Sequence, residues 1–211
     1  TIVHNAPARF AVYDWHRNQQ PIHEDGYATD LIAAEAARIL KSRSGKKEPF
    51  FMYVAFNAVH GPLNPPPGYD GNPNDSLAIR NAMLENLDSA VGHITNAIDK
   101  NGLRQNTLLV FTNDNGPVLE EMSKPYRGTK NTTFEGGVRQ PAIVRWPGHT
   151  KPGTTKNGLM FITDFFPTFI HLAGGNNDQK KKVDGIDMTG MLFEGKPSPR
   201  SEIIYDVAGS V

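Results

Sequence analysis

Two short and almost wholly apolar runs limit, more than any other feature, how this chain can fold. Phe50–Phe56 and Thr107–Thr112 are shorter than an average helix and show no alternation of polar and apolar residues. Strands of this kind are covered on both faces, as in the middle of a sheet with helices on either side. The sequence therefore predicts two buried strands.

Segments with helical periodicity lie between and around these runs. Gly26–Arg43 predicts one helix, and apolar residues three and four positions apart predict a second over Met83–Ile98, ended by Gly102. Further segments predict a strand, a helix and the start of another strand, at Ala142–Trp146, Asp164–Ala173 and Ile203–Tyr205. Strands that alternate with helices favour an α/β fold with a mainly parallel sheet.

Charge and residue usage exclude several classes of function. The 211 residues carry 22 basic and 22 acidic side chains, which argues against a surface that binds nucleic acid or an anionic membrane. There is no Cys, so disulfides, thiolate metal sites and Cys nucleophiles are excluded within the chain. No uninterrupted apolar stretch reaches the roughly 18 residues that a membrane span needs.

Polar residues follow both predicted strands, at the sheet edge where α/β proteins place their chemistry. Asp114 and Asn115 offer oxygen ligands suited to Ca²⁺ or Mg²⁺, although Asn and Asp are also ordinary turn residues. His60 can donate a proton to a leaving group or bind an anion, and the alternative is a structural histidine.

The segment Tyr126–Arg139 combines glycines with basic side chains. Arg127, Lys130 and Arg139 form the best anion-binding group in the sequence, and a solvated basic loop is the alternative. The segment does not fit the phosphate-binding Walker pattern. Asn131 and, elsewhere, Asn74 match the N-glycosylation pattern.

Taken in order, these segments resemble the sulfatase family, particularly its arylsulfatase B (N-acetylgalactosamine-4-sulfatase) branch. The motifs that carry the resemblance extend over nearly the whole chain; they are Asp14–Asn18, Gly26–Asp30, Pro49–Pro62, Thr107–Gly116, Gly128–Ala142 and Asp164–Thr168.

The resemblance implies a fold and a set of site residues. Sulfatases resemble alkaline phosphatase in fold, with a large mixed, mainly parallel sheet between helices. They hydrolyse sulfate esters with a Ca²⁺ ion and a formylglycine made from Cys or Ser. By this resemblance Asp114 and Asn115 are metal ligands, and His60 and Lys130 contact the sulfate or the leaving oxygen as catalytic and substrate-binding residues.

The family's nucleophile motif, Cys/Ser-x-Pro-x-Arg, is expected outside this chain, because Cys is absent and Ser198-Pro199-Arg200 has the wrong spacing. We therefore expect residues 1–211 to be part of one catalytic domain that lacks its N-terminal portion and a small C-terminal domain, and to be inactive and poorly stable alone. Two alternatives stay open: a phosphate or phosphonate ester hydrolase of the same superfamily, and a non-catalytic truncated homologue.

For partners, a sulfate ester, with sulfated glycans as the candidate class, is the expected substrate. No nucleic acid and no membrane span are expected. Family analogy indicates a lysosomal, periplasmic or secreted location.

Overall fold

The computed structural model describes residues 15–176 and 182–205, in a chain that forms two compact units, Thr1–Arg104 and Gln105–Val211. In the described residues each unit combines helices with one two-stranded sheet, so both have α/β content. No helix in these ranges is both long and apolar enough to cross a membrane. The predicted motif residue Asp14 lies outside the described residues.

Two helices dominate the first unit. Helix α1 spans Ala28–Arg43 and helix α2 spans Ser76–Lys100, so both predicted helices are confirmed. The helices pack against each other through apolar residues at helical spacing, and several of these are small; they are Ala33, Ala36 and Leu40 of α1 and Ile79, Met83, Ala90, Ile94, Ala97 and Ile98 of α2. The Asp75 carboxylate caps α2 by accepting from the N–H groups of Leu77 and Ala78.

A short antiparallel hairpin precedes α1. Its strands are β1, His16–Arg17, and β2, Gln20–Pro21, with Asn18 in the left-handed conformation at the turn (φ 56°). Arg17 donates to Glu35 of α1 at 2.6 Å, and the Trp15 indole N–H donates to Glu24 at 2.7 Å. The Arg17 contact attaches the hairpin to the helix, and the Trp15 contact joins the hairpin to the segment that leads into α1.

The predicted buried strand at Phe50–Phe56 is wrong as a paired, buried strand. Exposure alternates residue by residue from Phe51 to Asn57, which is the period of an extended chain, but Phe51 and Tyr53 are 76% and 83% exposed. A strand is buried only when neighbours satisfy its backbone groups and cover both faces. In the ranges the structure describes, no strand pairs with this segment.

The second unit contains the other two predicted strands, β3 at Leu109–Thr112 and β4 at Ala142–Arg145. They pair antiparallel, with Leu109 opposite Arg145 and Thr112 opposite Ala142. The predicted mainly parallel sheet is therefore not seen among the described residues, whose two strand pairs are both antiparallel. β3 is half-buried along its whole length and pairs with β4 in a two-stranded sheet, so the predicted full burial of this strand is not seen among the described residues.

Short helices fill the rest of this unit. They are α3 at Glu120–Ser123, α4 at Glu135–Val138, α5 at Phe165–Leu172 and α6 at Thr189–Phe193, with 3-10 turns at Arg104–Asn106, before β3, and at Ile162–Asp164. The predicted helix at Asp164–Ala173 is confirmed as α5. The predicted strand at Ile203–Tyr205 is wrong for those residues, where Ile204 is 83% exposed and no partner strand is present in the described chain.

A buried ion pair holds the C-terminal part of the second unit together. The Asp164 side chain is fully buried and accepts hydrogen bonds from the N–H groups of Phe161 (2.7 Å) and Ile186 (2.8 Å). The Arg200 guanidinium adds two more, one from Nε at 3.0 Å and a short one from its terminal nitrogen. One carboxylate thus joins the start of α5 to two later segments of the chain.

Arg200→Met is expected to destabilise the second unit by about 3–5 kcal/mol, because it leaves the Asp164 charge buried without its cation. The measurement is chemical denaturation of the chain, followed by fluorescence. Lys196→Met is the matched control, since it breaks an ion pair with Glu194 whose partners are 68% and 48% exposed. That variant should lose less than about 1 kcal/mol. Equal losses of unfolding free energy in the two variants would contradict a stabilising role for the buried Asp164–Arg200 pair.

The Asp164 carboxylate should also make the free energy of unfolding depend on pH in the acid range. Burial alone raises the pKa of Asp164, but the Arg200 guanidinium and the N–H groups of Ile186 and Phe161 outweigh it and hold the pKa below the usual aspartate value. A pKa that is lower in the folded chain stabilises the fold at pH values above about 4, the pKa of an aspartate in the unfolded chain. This stability is lost as the pH falls through the pKa of Asp164 in the folded chain. The free energy of unfolding should therefore fall more steeply below about pH 4 in the wild type than in Asp164→Asn.

Candidate active site

Asp114 and Asn115 follow the end of β3 and present unpaired oxygen atoms. The Asn115 N–H donates to Asp114 Oδ1 at 2.9 Å, and the Asn115 amide N–H donates to the carbonyl of Gly116 at 2.9 Å. Asp114 Oδ2 and Asn115 Oδ1 make no hydrogen bond within the described parts of the chain. Two free oxygens on neighbouring residues suit a hard divalent cation.

These residues alone do not complete a metal site. The described ranges contain no group of three or more His, Cys, Asp or Glu side chains placed to hold a metal ion. Asp114 and Asn115 therefore fit as part of a coordination shell.

Lys130 lies on a loop that is hydrogen-bonded to the Asp114 loop through the backbone. Its N–H donates to the carbonyl of Pro117 at 2.8 Å, and the Gly116 N–H donates to the carbonyl of Gly137 at 2.9 Å. The second unit thus brings together three of the predicted site residues, Asp114, Asn115 and Lys130, on adjoining loops.

Glycines make this approach possible. Gly116, Gly136 and Gly137 are all buried, and a Cβ on Gly116 would overlap the carbonyl oxygen of Gly136. A Cβ on Gly136 would overlap the carbonyl oxygen of Gly128, which itself has φ +87°. The glycines therefore permit a close backbone approach that packs one loop against the other.

The three predicted anion-binding cations have different surroundings. The Arg139 guanidinium donates to Glu135 at 3.0 Å and lies 4.9 Å from the centre of the Tyr126 ring. The Arg127 guanidinium lies 3.9 Å from the centre of the Phe134 ring. The Lys130 ammonium makes neither an ion pair nor a ring contact among the described residues, which distinguishes it from the two arginines.

His60 belongs to the first unit, where it is exposed. Its Nδ1 lies 2.6 Å from the carbonyl oxygen of Gly61. Because a carbonyl only accepts, Nδ1 carries the proton of this bond, and Nε2 is the nitrogen left for another partner. The backbone N–H of His60 donates to the carbonyl of Asn57 at 2.9 Å, which makes a turn at this point of the chain.

Sequence reasoning missed one match to the family's nucleophile motif. Ser123-Lys124-Pro125-Tyr126-Arg127 has the Ser-x-Pro-x-Arg spacing. In the structure the Ser123 side chain is buried, and its hydroxyl lies 2.9 Å from the carbonyl of Glu120 and 3.3 Å from that of Tyr126. A buried hydroxyl whose partners are both backbone carbonyls closes the end of α3, so the spacing here marks a structural serine.

Gly136→Ala should disrupt the loop that carries Lys130, because the new methyl group meets the carbonyl oxygens of Gly128 and Arg127. Overpacking of this kind costs about 1–3 kcal/mol of unfolding free energy. The matched control is Gly92→Ala in α2, where the added carbon has no atom within 4 Å other than its chain neighbours and the backbone of its own helix. That variant should gain up to about 1 kcal/mol of helix stability. Denaturation curves that rank the two variants in the opposite order would contradict the packing described here.

Comparison with known proteins identifies relatives for most of the chain. The sequence profile of the family described as Sulfatase matches residues 2–175. Arylsulfatase J of Mus musculus is 34% identical over 204 residues, which are 92% of this chain and 34% of that protein. N-acetylgalactosamine-6-sulfatase of Rattus norvegicus is 34% identical over 184 residues, which are 84% of this chain and 34% of that protein. The chain spans about a third of the length of these relatives.

Solved structures give the same result. The crystal structure of Ps i-CgsB in complex with k-i-k-neocarrahexaose matches with a TM-score of 0.73 and 32% identity, over 81% of this chain and 39% of that one. The PsFucS1 sulfatase from Pseudoalteromonas sp. matches with a TM-score of 0.69 and 33% identity, over 80% of this chain and 35% of that one. By sequence profile, by identity and by fold, this chain belongs to the sulfatase family.

Proposed function

We propose that this chain is part of an enzyme that hydrolyses sulfate esters, with Asp114 and Asn115 as ligands of a Ca²⁺ ion and His60 and Lys130 in contact with the sulfate. The observation that supports this most is the pair of backbone hydrogen bonds between the Asp114 loop and the Lys130 loop. They hold on adjoining loops two oxygen atoms and an ammonium that have no partner in the ranges the structure describes. Such an arrangement suits an anion bound between two positive charges.

The oxygens of Asp114 and Asn115 would hold the cation together with ligands that these residues do not supply. When bound, the cation withdraws negative charge from a sulfate oxygen. Formylglycine is the nucleophile in this family, and no residue of this chain is assigned to it.

The remaining chemistry falls to Lys130 and His60. The Lys130 ammonium binds a sulfate oxygen and stabilises the negative charge that develops as the ester bond breaks. With Nδ1–H donated to Gly61, the His60 imidazolium has Nε2–H to donate to the departing oxygen.

The architecture and setting proposed for the whole enzyme follow the family. We infer an alkaline-phosphatase-like fold with a mixed, mainly parallel sheet between helices, in which residues 1–211 belong to a single catalytic domain. Sulfated glycans are the proposed substrates. The name of the rat relative and the oligosaccharide bound to Ps i-CgsB support this class. A lysosomal, periplasmic or extracellular location is proposed by the same analogy.

Lys130→Met should lower kcat/KM for sulfate-ester hydrolysis by about 10²–10³-fold in the active enzyme that contains this chain, because one stabilising cation is lost. Lys124→Met is the matched control, since Lys124 is an exposed lysine six residues away in the same segment. It should leave kcat/KM within about twofold. Steady-state assays on a sulfate ester and its matched phosphate ester give both numbers.

Two outcomes of these assays would overturn the proposal. An equal loss of kcat/KM in Lys130→Met and Lys124→Met would show that the overall positive charge of the segment supports activity, and not Lys130 in particular. A preference for the phosphate ester over the sulfate ester would favour the phosphoesterase alternative, since a phosphate monoester carries more negative charge than a sulfate ester.

A further inference from the structure

The loop that carries Lys130 is closed at its two ends. The N–H of Gly136 donates to the carbonyl of Arg127 at 2.8 Å, which brings the ends of residues 127–136 together. At the same place the Arg127 guanidinium lies over the Phe134 ring, 3.9 Å from its centre. A backbone hydrogen bond and a cation–π contact therefore close one loop.

Inside the closed loop the chain turns sharply around Lys130. The Thr132 N–H and hydroxyl both donate to the carbonyl of Thr129, at 3.1 and 2.7 Å, and Asn131 adopts the left-handed conformation with φ 70°. The Lys130 N–H donates outward, to Pro117 on the Asp114 loop. The position of Lys130 therefore depends on the loop remaining folded.

Glycine packing explains why the loop can close, and the Phe134 side chain lies against Gly128 at the start of the loop. The Arg127 guanidinium covers the same ring, so Phe134 is the side chain through which Arg127 joins the first part of the loop to the last. Arg139 lies beyond this closure and interacts with Glu135 and Tyr126.

We propose that Arg127 and Phe134 are a positioning pair: their stacked side chains hold the loop closed and so hold Lys130 beside Asp114. The structural half of this statement concerns the loop alone. Its consequence for catalysis rests on the proposed role of Lys130 in sulfate-ester hydrolysis.

Amide hydrogen exchange in the active enzyme that contains this chain, measured by NMR, tests the structural half. The reporters are the N–H groups of Lys130 and Gly116, which donate between the two loops. Arg127→Gln should speed their exchange about two- to fivefold, the change expected for loss of an exposed cation–π contact. Amides of helix α2 provide an internal reference and should not change.

Matched variants separate stacking from charge. Arg139→Gln removes a neighbouring guanidinium that also lies over an aromatic ring, and it should leave both reporter amides unchanged. Phe134→Tyr keeps the aromatic face and should behave as the wild type, whereas Phe134→Leu should match Arg127→Gln. If Arg127→Gln does not fold, the two Phe134 variants still decide the question.

A double-mutant cycle on kcat/KM tests the catalytic half in the active enzyme that contains this chain. Arg127→Gln should lower kcat/KM in the wild-type background and add little in a Lys130→Met background, because its effect passes through Lys130. A purely structural defect would lower activity equally in both backgrounds and would overturn the positioning role.

The two halves fail in distinguishable ways. Unchanged exchange of Lys130 and Gly116 in Arg127→Gln, or equal acceleration in Arg139→Gln, would overturn the positioning pair whatever the activity. Normal activity of Lys130→Met, together with faster exchange in Arg127→Gln, would overturn the proposed function of Lys130 and the catalytic half with it, while the loop closure would stand.

Discussion

The candidate site depends on the space that Gly116 and Gly136 leave empty for backbone carbonyls. The carbonyl oxygen of Gly136 lies where a side chain on residue 116 would begin, and the carbonyl of Gly128 lies where one on residue 136 would begin. Because nothing larger fits, the loop after β3 and the loop that carries Lys130 approach closely enough to share backbone hydrogen bonds. These bonds join the two loops through the backbone alone, so among the described residues they leave Asp114 Oδ2 and the Lys130 ammonium without a hydrogen-bond partner.

How much of this could be predicted depended on whether the cause was local. Helices α1 and α2 followed from periodicity, and β3 and β4 from short apolar runs, because each pattern reflects the residue's own neighbours in sequence. The burial of Phe50–Phe56 could not be read in this way. A strand becomes buried only through partners distant in sequence, and the same apolar run is exposed on one side where no described strand pairs with it.

The site residues show the same limit. Asp114, Asn115 and Lys130 were recognised by type and motif. The sequence could not show that Arg127 lies over Phe134 and that Arg139 contacts Glu135 and Tyr126, while the Lys130 ammonium has no such partner in the described parts of the chain. Spacing alone was also insufficient for Ser123, whose motif matches a nucleophile and whose hydroxyl is buried against backbone carbonyls. Arg200, in a triplet set aside for its spacing, is the partner of the buried Asp164. In each case the partner of a side chain, and not its type, decides its role.

The distribution of cations over the loop has a physical reason. A guanidinium is planar, weakly hydrated and able to lie flat on an aromatic ring, so Arg127 and Arg139 suit structural contacts with Phe134 and Tyr126. An ammonium is compact and strongly hydrated, and it gains little from stacking. Lys130 is therefore the cation most readily left without a protein partner, and its charge can be neutralised by an anion that arrives and departs. The loop uses arginine for its contacts with Phe134 and Tyr126, and under the proposed function the exchangeable contact with sulfate belongs to lysine.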